Sequence, residues 1–450
     1  MKINSTFNIQ DSKLRSAALL WDESFLWGVM AYKALCAAGL TFDLVRAEDI
    51  RNGCLGRYAA LFVPGGWASN KLKALGDDGV REIKRFVHDG GAYIGFCGGA
   101  GLATMDGIGL VQVKRRPTKE RVPSFSGRIK LKVNNHPLWE GILECEDVNT
   151  ELRTRNYELV FNAWWPSQFV IDSESVSVLA TYGKAMPDSF SSDVNVGDAE
   201  AAGSWPELER VYQINLNPKR LEGEPAVIEG TFGKGKVLLS LVHFDTPGDP
   251  HGAAVLRNIW GYFGCDSTAQ DRIVSAHGDE QRRMVLHDPL LSELEAAVNG
   301  LIELGQRNFL WFRRNPMLLQ WRRGVRGLEY CTLYVMIKEI IELLRRQGIG
   351  DRTQKTEDRG QIIPEELEHI RELLLPFVDK AKRLLVRERF AMQKAPITYE
   401  RCDDPEVQAL REELFSRSKS HGGLFKEVID EVDRLLYRLM TPRSCEDENV

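Results

Sequence analysis

A doubly wound α/β domain followed by an all-α region is predicted by three features of this sequence. Short apolar runs typical of buried strands alternate with helical patterns over the first hundred residues, and such alternation predicts a mostly parallel sheet with helices on both faces. Glycine-rich turns directly follow two of the strands. From about residue 289 onward, apolar residues recur with the helical period of about 3.6.

Each predicted element of the first part has a local reason. The apolar runs that predict the first four strands are 16–21, 41–45, 59–63 and 92–96. Helical spacing predicts helices at 25–38 and 68–88, with glycines just after each one. Further strands are predicted at 110–113, 127–133, 158–161 and 175–182, a hairpin at 226–242 and a closing helix at 252–263. The segment 184–209 is rich in small and polar residues and is predicted to be an exposed loop.

The carboxyl-terminal part is predicted to be a helical bundle. Four long helical patterns begin at prolines, as suits a first helical turn, and cover 289–313, 316–347, 364–393 and 405–440. These changes in character predict a first domain over 1–265, a linker over 266–288, a helical domain over 289–441 and a tail over 442–450.

Composition excludes several classes of function. The net charge of −5 argues against a general nucleic-acid binder, and the basic run 114–121 is interpreted as a solvated face. Eight scattered cysteines without a Cys-x-x-Cys pair predict reduced thiols and a cytoplasmic location. The polar first residues lack the apolar core of a signal peptide, and no apolar run is long enough to span a bilayer. No membrane contact is therefore expected.

The most informative stretch is Gly95-Phe96-Cys97-Gly98-Gly99, where a short apolar run ends in a cysteine. The pattern Gly-x-Cys-x-Gly is that of a nucleophile elbow, a sharp strand-to-helix turn that exposes the nucleophile. Glycines are needed there because the chain passes close to itself. The N–H groups of the following helix favour a thiolate and can hold a developing oxyanion. The alternative interpretation is a buried cysteine at an ordinary glycine-rich turn.

A thiol nucleophile needs a base and a group that orients the base. His243 directly follows a strongly apolar predicted strand, and Asp245 lies two residues later. Ligands of such sheets bind outside the carboxyl ends of the strands, so His243 is expected at the same edge as Cys97. The turn at Gly65 and Gly66 follows the third strand, and its backbone amides are expected to face Cys97.

Together these residues resemble the class I glutamine amidotransferase-like superfamily, which has a flavodoxin-like fold. Within it they are most similar to a stand-alone form of the biotin–protein ligase N-terminal domain. The resemblance covers roughly residues 13–265. The segments that carry it are 59–66, the turn Pro64-Gly65-Gly66-Trp67, the elbow in 91–101, Asn135-His136-Pro137-Leu138-Trp139-Glu140-Gly141, and 233–245.

The resemblance implies a role for each site residue. Cys97 is the expected nucleophile, His243 the base and Asp245 the orienting acid, where the family usually has His-x-Glu. Gly66 and Gly98 are expected to offer oxyanion-hole amides, with Gly65 and Trp67 in the same turn. Trp67 either forms the base of a substrate pocket or packs over the pocket as a lid. Asp22 and Glu23, at the end of the first strand, either line the cleft or are solvated.

Two functions of different classes are compatible with these residues. One is a cysteine-dependent amidase or amidotransferase-like hydrolase that acts on a small amide and needs no cofactor or metal. The other is a non-catalytic ligand-binding or scaffolding module. In both, a small molecule is the expected substrate or ligand, and the helical bundle is expected to form homo-oligomers or bind a partner protein. Biotin ligation is not expected, because 266–450 lacks a Gly-Arg-Gly-Arg type of loop.

Overall fold

The computed structural model describes residues 16–142, 157–265, 289–346, 359–417 and 420–441. Its centre is a mixed sheet of eleven strands within these residues. Five strands form the parallel half of the sheet, in the order β2 (Phe42–Val45), β1 (Ala17–Leu20), β3 (Ala60–Val63), β4 (Ala92–Phe96) and β13 (Gly235–Ser240). These strands are almost entirely apolar because helices cover both of their faces. The predicted α/β class is confirmed.

The other half of the sheet is antiparallel. Its strands are β6 (Phe125–Val133), β7 (Tyr157–Trp164), β9 (Val176–Ala185), β10 (Phe190–Ser191), β11 (Val194–Asn195) and β12 (Pro225–Phe232). β13 pairs with β12, β12 with β9, and β9 with β6. β6 also pairs with β7 and β10, and β10 pairs with β11. A separate two-stranded sheet joins β5 (Val113–Arg115) to β8 (Phe169–Ile171). The predicted hairpin at 226–242 is β12 with β13.

The helices of this part follow the strands closely. Their bounds are α1 (Leu26–Ala37), α2 (Ala47–Arg51), α3 (Ala68–His88), α4 (Gly98–Ala103), α5 (Val196–Ala202), α6 (Trp205–Tyr212) and α7 (Pro250–Tyr262). The expectation of a loop over 184–209 is wrong, because this segment ends β9 and contains β10, β11, α5 and part of α6. Asn195 makes a helix possible there, since its side chain caps α5 by accepting from the Asp198 N–H.

The helical region differs from the prediction in two places. It contains α8 (Pro289–Arg307), a hairpin of β14 (Trp311–Arg313) and β15 (Leu319–Trp321), then α9 (Gly327–Arg346), α10 (Arg359–Lys394), α11 (Pro405–Phe415) and α12 (Gly423–Met440). The hairpin interrupts two predicted helices because the Asn315 side chain accepts from the N–H groups of Met317 and Leu318 and so forms a turn. The last predicted helix is divided in two near Ser416, which has a positive φ of 54°.

The helical region packs directly against α1. One apolar core lies on the sheet. The second core combines Leu26, Trp27 and Met30 of α1 with side chains of all five carboxyl-terminal helices. Lys33 of α1 also pairs with Glu339 of α9 at 2.5 Å. The helix that follows β1 is thus shared by both parts of the chain, while the predicted linker 266–288 and tail 442–450 lie outside the described residues.

Within the described residues, no helix is both long and apolar enough to cross a membrane.

Candidate active site

Cys97 lies at the turn between β4 and α4. Its φ of 49° falls in the left-handed region, which is strained for a residue other than glycine and is typical of functional turns. The Cys97 N–H donates to the carbonyl of Ser240 at 2.8 Å, and the Cys97 carbonyl accepts from Gly101 at 2.9 Å. The side chain is partly exposed. The backbone therefore has the geometry of a nucleophile elbow, with a thiol that solvent can reach.

The glycines around Cys97 allow two turns to touch through their backbones. A Cβ at Gly98 would lie 1.8 Å from the Gly66 carbonyl oxygen, and one at Gly99 would lie 1.9 Å from that of Val63. Gly66 itself has a φ of +111°. In the described part of the chain, neither the Gly66 nor the Gly98 N–H donates to a backbone acceptor outside regular elements. The turn that carries Gly66 therefore meets the elbow directly at the residue after Cys97.

His243 and Asp245 reach the same edge of the sheet through β13. This strand is the parallel neighbour of β4, with Ser240 opposite Phe96. Three residues later, the His243 N–H donates to the Asn162 carbonyl at 2.8 Å. His243 Nδ1 lies 2.9 Å from Asp245 Oδ1, and both side chains are fully buried. The structure thus brings together Cys97, His243 and Asp245, although well over a hundred residues separate the cysteine from the other two.

Two opposing effects act on the charge of His243. Burial lowers its pKa. The negative charge of Asp245, the hydrogen bond between the two side chains and the adjacent Cys97 raise the pKa by more than burial lowers it, to about 10. The Nε2 atom has no hydrogen bond of normal geometry within the described residues, although the Cys97 sulfur is close enough to affect the ring. The raised pKa favours the protonated form of the imidazole beside the Cys97 side chain.

Trp27 is a site residue that the sequence reasoning missed. Its ring stacks on the His243 ring, with centroids 4.8 Å apart and an angle of 27°. A Cβ at Gly65 would lie 2.8 Å from the Trp27 ring, so the indole is wedged between the Gly65 turn and the histidine. Trp27 belongs to the helix that packs against the helical region. It therefore fixes the His243 ring and links it to the second core.

Lys71 is the second residue that sequence reasoning missed. Its side chain is fully buried. Its Nζ donates to Ser24 Oγ at 2.5 Å and to the Asp22 carbonyl at 3.2 Å. The Cε atom of Lys71 lies 3.3 Å from the position that a Cβ at Gly66 would take. Burial lowers the pKa of Lys71 to about 7, although Glu23, Asp22, Asp433 and Cys97 act in the opposite direction. The lysine therefore supports the turn that carries Gly66.

Lys71→Met is expected to lose stability relative to wild type as the pH rises. Between about pH 7 and 10 the lysine is neutral in the folded state but protonated in the unfolded state, whose lysine pKa is about 10.4. The unfolded state then binds more protons, so this group adds up to about 1.4 kcal/mol of wild-type stability per pH unit. Urea unfolding of both proteins at pH 7, 8 and 9 measures the difference.

The control is Lys73→Met, because Lys73 lies on the same helix and is exposed. Its stability difference from wild type should not change with pH. A Lys71→Met difference that is equally independent of pH would contradict the assignment of Lys71 as the titrating group.

The remaining predicted residues differ in exposure. Trp67 is 39% exposed and lies at the start of α3. Asp22 accepts from the Ala47 N–H at 2.6 Å. Glu23 accepts from Asn70 at 3.1 Å and pairs with Lys426 of α12 at 3.3 Å. Both acids are half-buried at the edge of the cleft, so neither is simply solvated.

One further expectation needs correction. The basic run 114–121 is not a uniformly solvated face: Lys114 and Lys119 are exposed, but Arg115 and Arg121 are half-buried. The reason is that Arg121 donates to Ser167 Oγ at 2.6 Å and Arg115 lies against Gly101 of α4. These contacts come from segments distant in sequence.

The positions of Trp27 and Lys71 in the sequence could have indicated that they lie near the site. Each lies near the start of a helix that directly follows a parallel strand, namely α1 after β1 and α3 after β3. Residues there face the carboxyl edge of the sheet, where ligands bind. For metals, no group of three or more His, Cys, Asp or Glu side chains with suitable geometry occurs in the described ranges.

The family comparison points to the same segment. Residues 41–106 match the family model described as biotin-protein ligase, N terminal, which agrees with the resemblance drawn from the motifs. The match includes the Gly65–Gly66 turn and the elbow at Cys97. His243 and Asp245 lie beyond it. A search of curated proteins by sequence found no match.

Several solved structures are similar to part of the chain. A GMP synthase component from Thermoplasma acidophilum has 12% identity and a TM-score of 0.34, over 55% of this chain and 94% of that one. A glutamine amidotransferase has 20% identity and a TM-score of 0.33, over 55% and 98%. A β-galactosidase from Bacillus circulans sp. alkalophilus has 12% identity and a TM-score of 0.33, over 56% and 32%.

Proposed function

We propose that the chain is a cysteine-dependent amidase or amidotransferase-like hydrolase that acts on a small amide. The observation that carries this proposal is the position of Cys97, strained at an elbow beside the buried His243–Asp245 pair. The match of residues 41–106 to the biotin-protein ligase N-terminal model supports it. A cytoplasmic location, inferred from the scattered cysteines, is part of the same proposal.

The proposed reaction has two steps. The Cys97 thiolate attacks the amide carbonyl, and the N–H groups of Gly66 and Gly98 hold the oxyanion. His243 gives its proton to the leaving amine as the carbon–nitrogen bond breaks, which leaves a thioester on the sulfur. Water, or another amine, then attacks the thioester with its proton passing to His243. The carbon–sulfur bond breaks, the acid or new amide leaves, and the Cys97 thiolate is restored beside the protonated His243. Asp245 keeps the ring oriented throughout.

Thiol labelling tests the proposal without knowledge of the substrate. Under limiting iodoacetamide at pH 7, Cys97 is expected to react at least about tenfold faster than Cys36 or Cys402, since a thiolate is the reactive species. Peptide mass spectrometry measures each rate in the same chain. Cys402 is the matched control because it is half-buried like Cys97, whereas burial raises the pKa of the Cys36 thiol. A rate for Cys97 no greater than that for Cys402 would argue for the second candidate function.

That second candidate is a non-catalytic ligand-binding or scaffolding module. The packing of α1 against the helical region favours it, because a ligand that moves Trp27 would act directly on the second core. In this case the helical region would be an output that forms homo-oligomers or binds a partner protein. The division into domains at 266–288 belongs to both proposals.

A further inference from the structure

A continuous run of tryptophan rings leads from His243 to the helical region. The Trp27 ring, which stacks on His243, meets the edge of the Trp165 ring with centroids 6.0 Å apart and an angle of 72°. Trp165 in turn stacks on Trp321 of β15, at 4.7 Å and 27°. These separations lie within the range of about 4.5–7 Å that favours aromatic pairs. Trp27, Trp165 and Trp321 therefore form an indole chain that begins at the buried imidazole and ends on the hairpin.

Trp165 takes its place in the indole chain through a strained backbone. It directly follows β7, and its φ of 49° is unfavourable for a residue with a β-carbon. Its N–H donates to the Phe125 carbonyl at 2.8 Å, which fixes the turn to β6. Strain of this kind persists only where the surrounding structure requires it, and it is typical of functional sites.

The preceding residue, Trp164, holds the main chain of the histidine. Trp164 Nε1 donates to Thr246 Oγ1 at 3.0 Å, and Thr246 Oγ1 donates to the His243 carbonyl at 2.9 Å. Trp164 and Thr246 are both buried. The backbone of His243 is thus fixed by its own hydrogen bonds, so the orientation of its ring depends on the contacts with Asp245 and Trp27.

Buried polar contacts fix the other end of the indole chain to the sheet. Gln320, which is 1% exposed, accepts from Ser126 Oγ at 2.6 Å and donates to the Ser192 carbonyl. Trp321 is the next residue, and its ring lies against Gly327 of α9, where a Cβ would be 2.3 Å from the indole. The hairpin therefore gives Trp321 a rigid support within the helical region.

We propose that Trp165 and Trp321 are positioning residues for the proposed reaction, because through Trp27 they hold the His243 ring in the orientation that pairs it with Asp245. The helical region then forms part of the active site, since it supplies Trp321. This inference rests on the proposed function for the role of His243. The ring is held in the same way, however, whether or not Cys97 is a nucleophile.

The magnetic resonance signal of the His243 ring tests the indole chain directly. In full-length protein made with isotope-labelled histidine, this signal is the one that disappears in His243→Asn. Trp321→Ala should move it, and Trp321→Phe should return it toward its wild-type position, because a phenyl ring still stacks on Trp165. The signal of the exposed His251 should stay in place. A His243 signal that Trp321→Ala leaves unmoved would overturn the proposal, whatever the reactivity of Cys97.

Alkylation of Cys97 measures the consequence for the proposed reaction. If wild-type Cys97 reacts faster than Cys402, Trp321→Ala should slow its reaction with iodoacetamide at pH 7 roughly five- to tenfold, since a small misplacement of a reacting group has effects of this size or more. Trp321→Phe should restore the rate to within about twofold of wild type. An unchanged rate in Trp321→Ala would overturn the positioning role. A displaced His243 signal together with a wild-type Cys97 no faster than Cys402 would support the indole chain while the proposed function fails.

Phe312→Ala is the matched control. Phe312 lies on the same hairpin and packs on Phe190 of β10, with ring centroids 5.0 Å apart, so its loss also removes an aromatic contact between the helical region and the sheet. Because Phe312 lies outside the indole chain, the His243 signal and the Cys97 rate should stay close to those of wild type. Effects as large as those of Trp321→Ala would indicate a loosened hairpin and would overturn the proposal.

Trp165→Gly interrupts the indole chain from the sheet side. Glycine adopts a φ of 49° without strain, so the turn after β7 is kept. The variant should displace the His243 signal and slow Cys97 as Trp321→Ala does. The double variant should be no slower than Trp165→Gly alone, because both residues act through Trp27. Losses that multiply in the double variant would overturn this shared route.

Discussion

Asparagine in place of His243 is expected to slow alkylation of Cys97 at pH 7 by about ten- to a hundredfold. We expect this because a protonated imidazole at position 243, whose pKa Asp245 helps to raise, would stabilise a thiolate beside it, whereas asparagine carries no charge. Asp245→Asn should slow the reaction less, because the ring remains. Any amide hydrolysis should fall by about 10³-fold or more in Cys97→Ser, since a hydroxyl is far harder to ionise. Iodoacetamide kinetics followed by peptide mass spectrometry, with ammonia release from an amide panel, measure both effects.

The control for this series is His251→Asn. His251 lies exposed at the start of α7, two positions after Asp249, which caps the helix. Its replacement removes a histidine but leaves the buried His243–Asp245 pair in place, so the rate of Cys97 alkylation should not change. An alkylation rate in His243→Asn equal to that of wild type would contradict the assignment of His243 as the partner of Cys97. It would not affect the elbow geometry, which depends on the glycines.

Methionine in place of Arg411 is expected to destabilise the helical region by about 3–5 kcal/mol. Arg411 donates to Glu388 at 2.8 Å and to the Gly324 carbonyl at 2.7 Å, and both members of the ion pair are nearly inaccessible. Without the arginine, Glu388 is left as an unpaired acid in the core. Burial already raises the pKa of Glu388 to about 7. Urea unfolding followed by far-ultraviolet circular dichroism measures the loss.

The stability cost of Arg411→Met is expected to depend on pH. An acid with a raised folded pKa binds more protons in the folded state than in the unfolded state, whose glutamate pKa is about 4.3, so its penalty grows as the pH rises through that window. Arg411 lowers the pKa of Glu388, so without the arginine the folded pKa rises above about 7, and the penalty keeps growing at a pH where that of wild type has levelled off. Arg411→Met should therefore be less stable at pH 8 than at pH 6, relative to wild type. The double variant with Glu388→Met should recover part of the stability, because both charges are then absent.

Arg417→Met is the control for the ion pair. Arg417 and Glu412 form a pair in which the side chains are 87% and 58% exposed, and such pairs contribute little. A change of at most about 0.5 kcal/mol is expected. If Arg411→Met were no more costly than this surface variant, the buried pair would not be a structural requirement of the helical region.

Elements with a strong local pattern were predicted well from the sequence. The strands β1, β3 and β4 are continuous apolar runs, and α3 was placed at its observed bounds of Ala68 and His88. In these segments local preference and tertiary packing agree. The segment 184–209 and the hairpin of β14 and β15 were missed, because their short elements depend on side-chain turns such as the one at Asn315 rather than on periodicity.

The elbow is what the sequence determined by itself. A cysteine between glycines at the end of an apolar run predicts a sharp strand-to-helix turn, and Cys97 has the positive φ of 49° that such a turn requires. The neighbours of Cys97 were decided by the tertiary structure alone. The parallel pairing of β4 with β13 places His243 beside it, and the packing of α1 lays Trp27 on that histidine. The burial of Lys71 against the turn that carries Gly66 depends likewise on contacts between segments far apart in the chain, which no local pattern encodes.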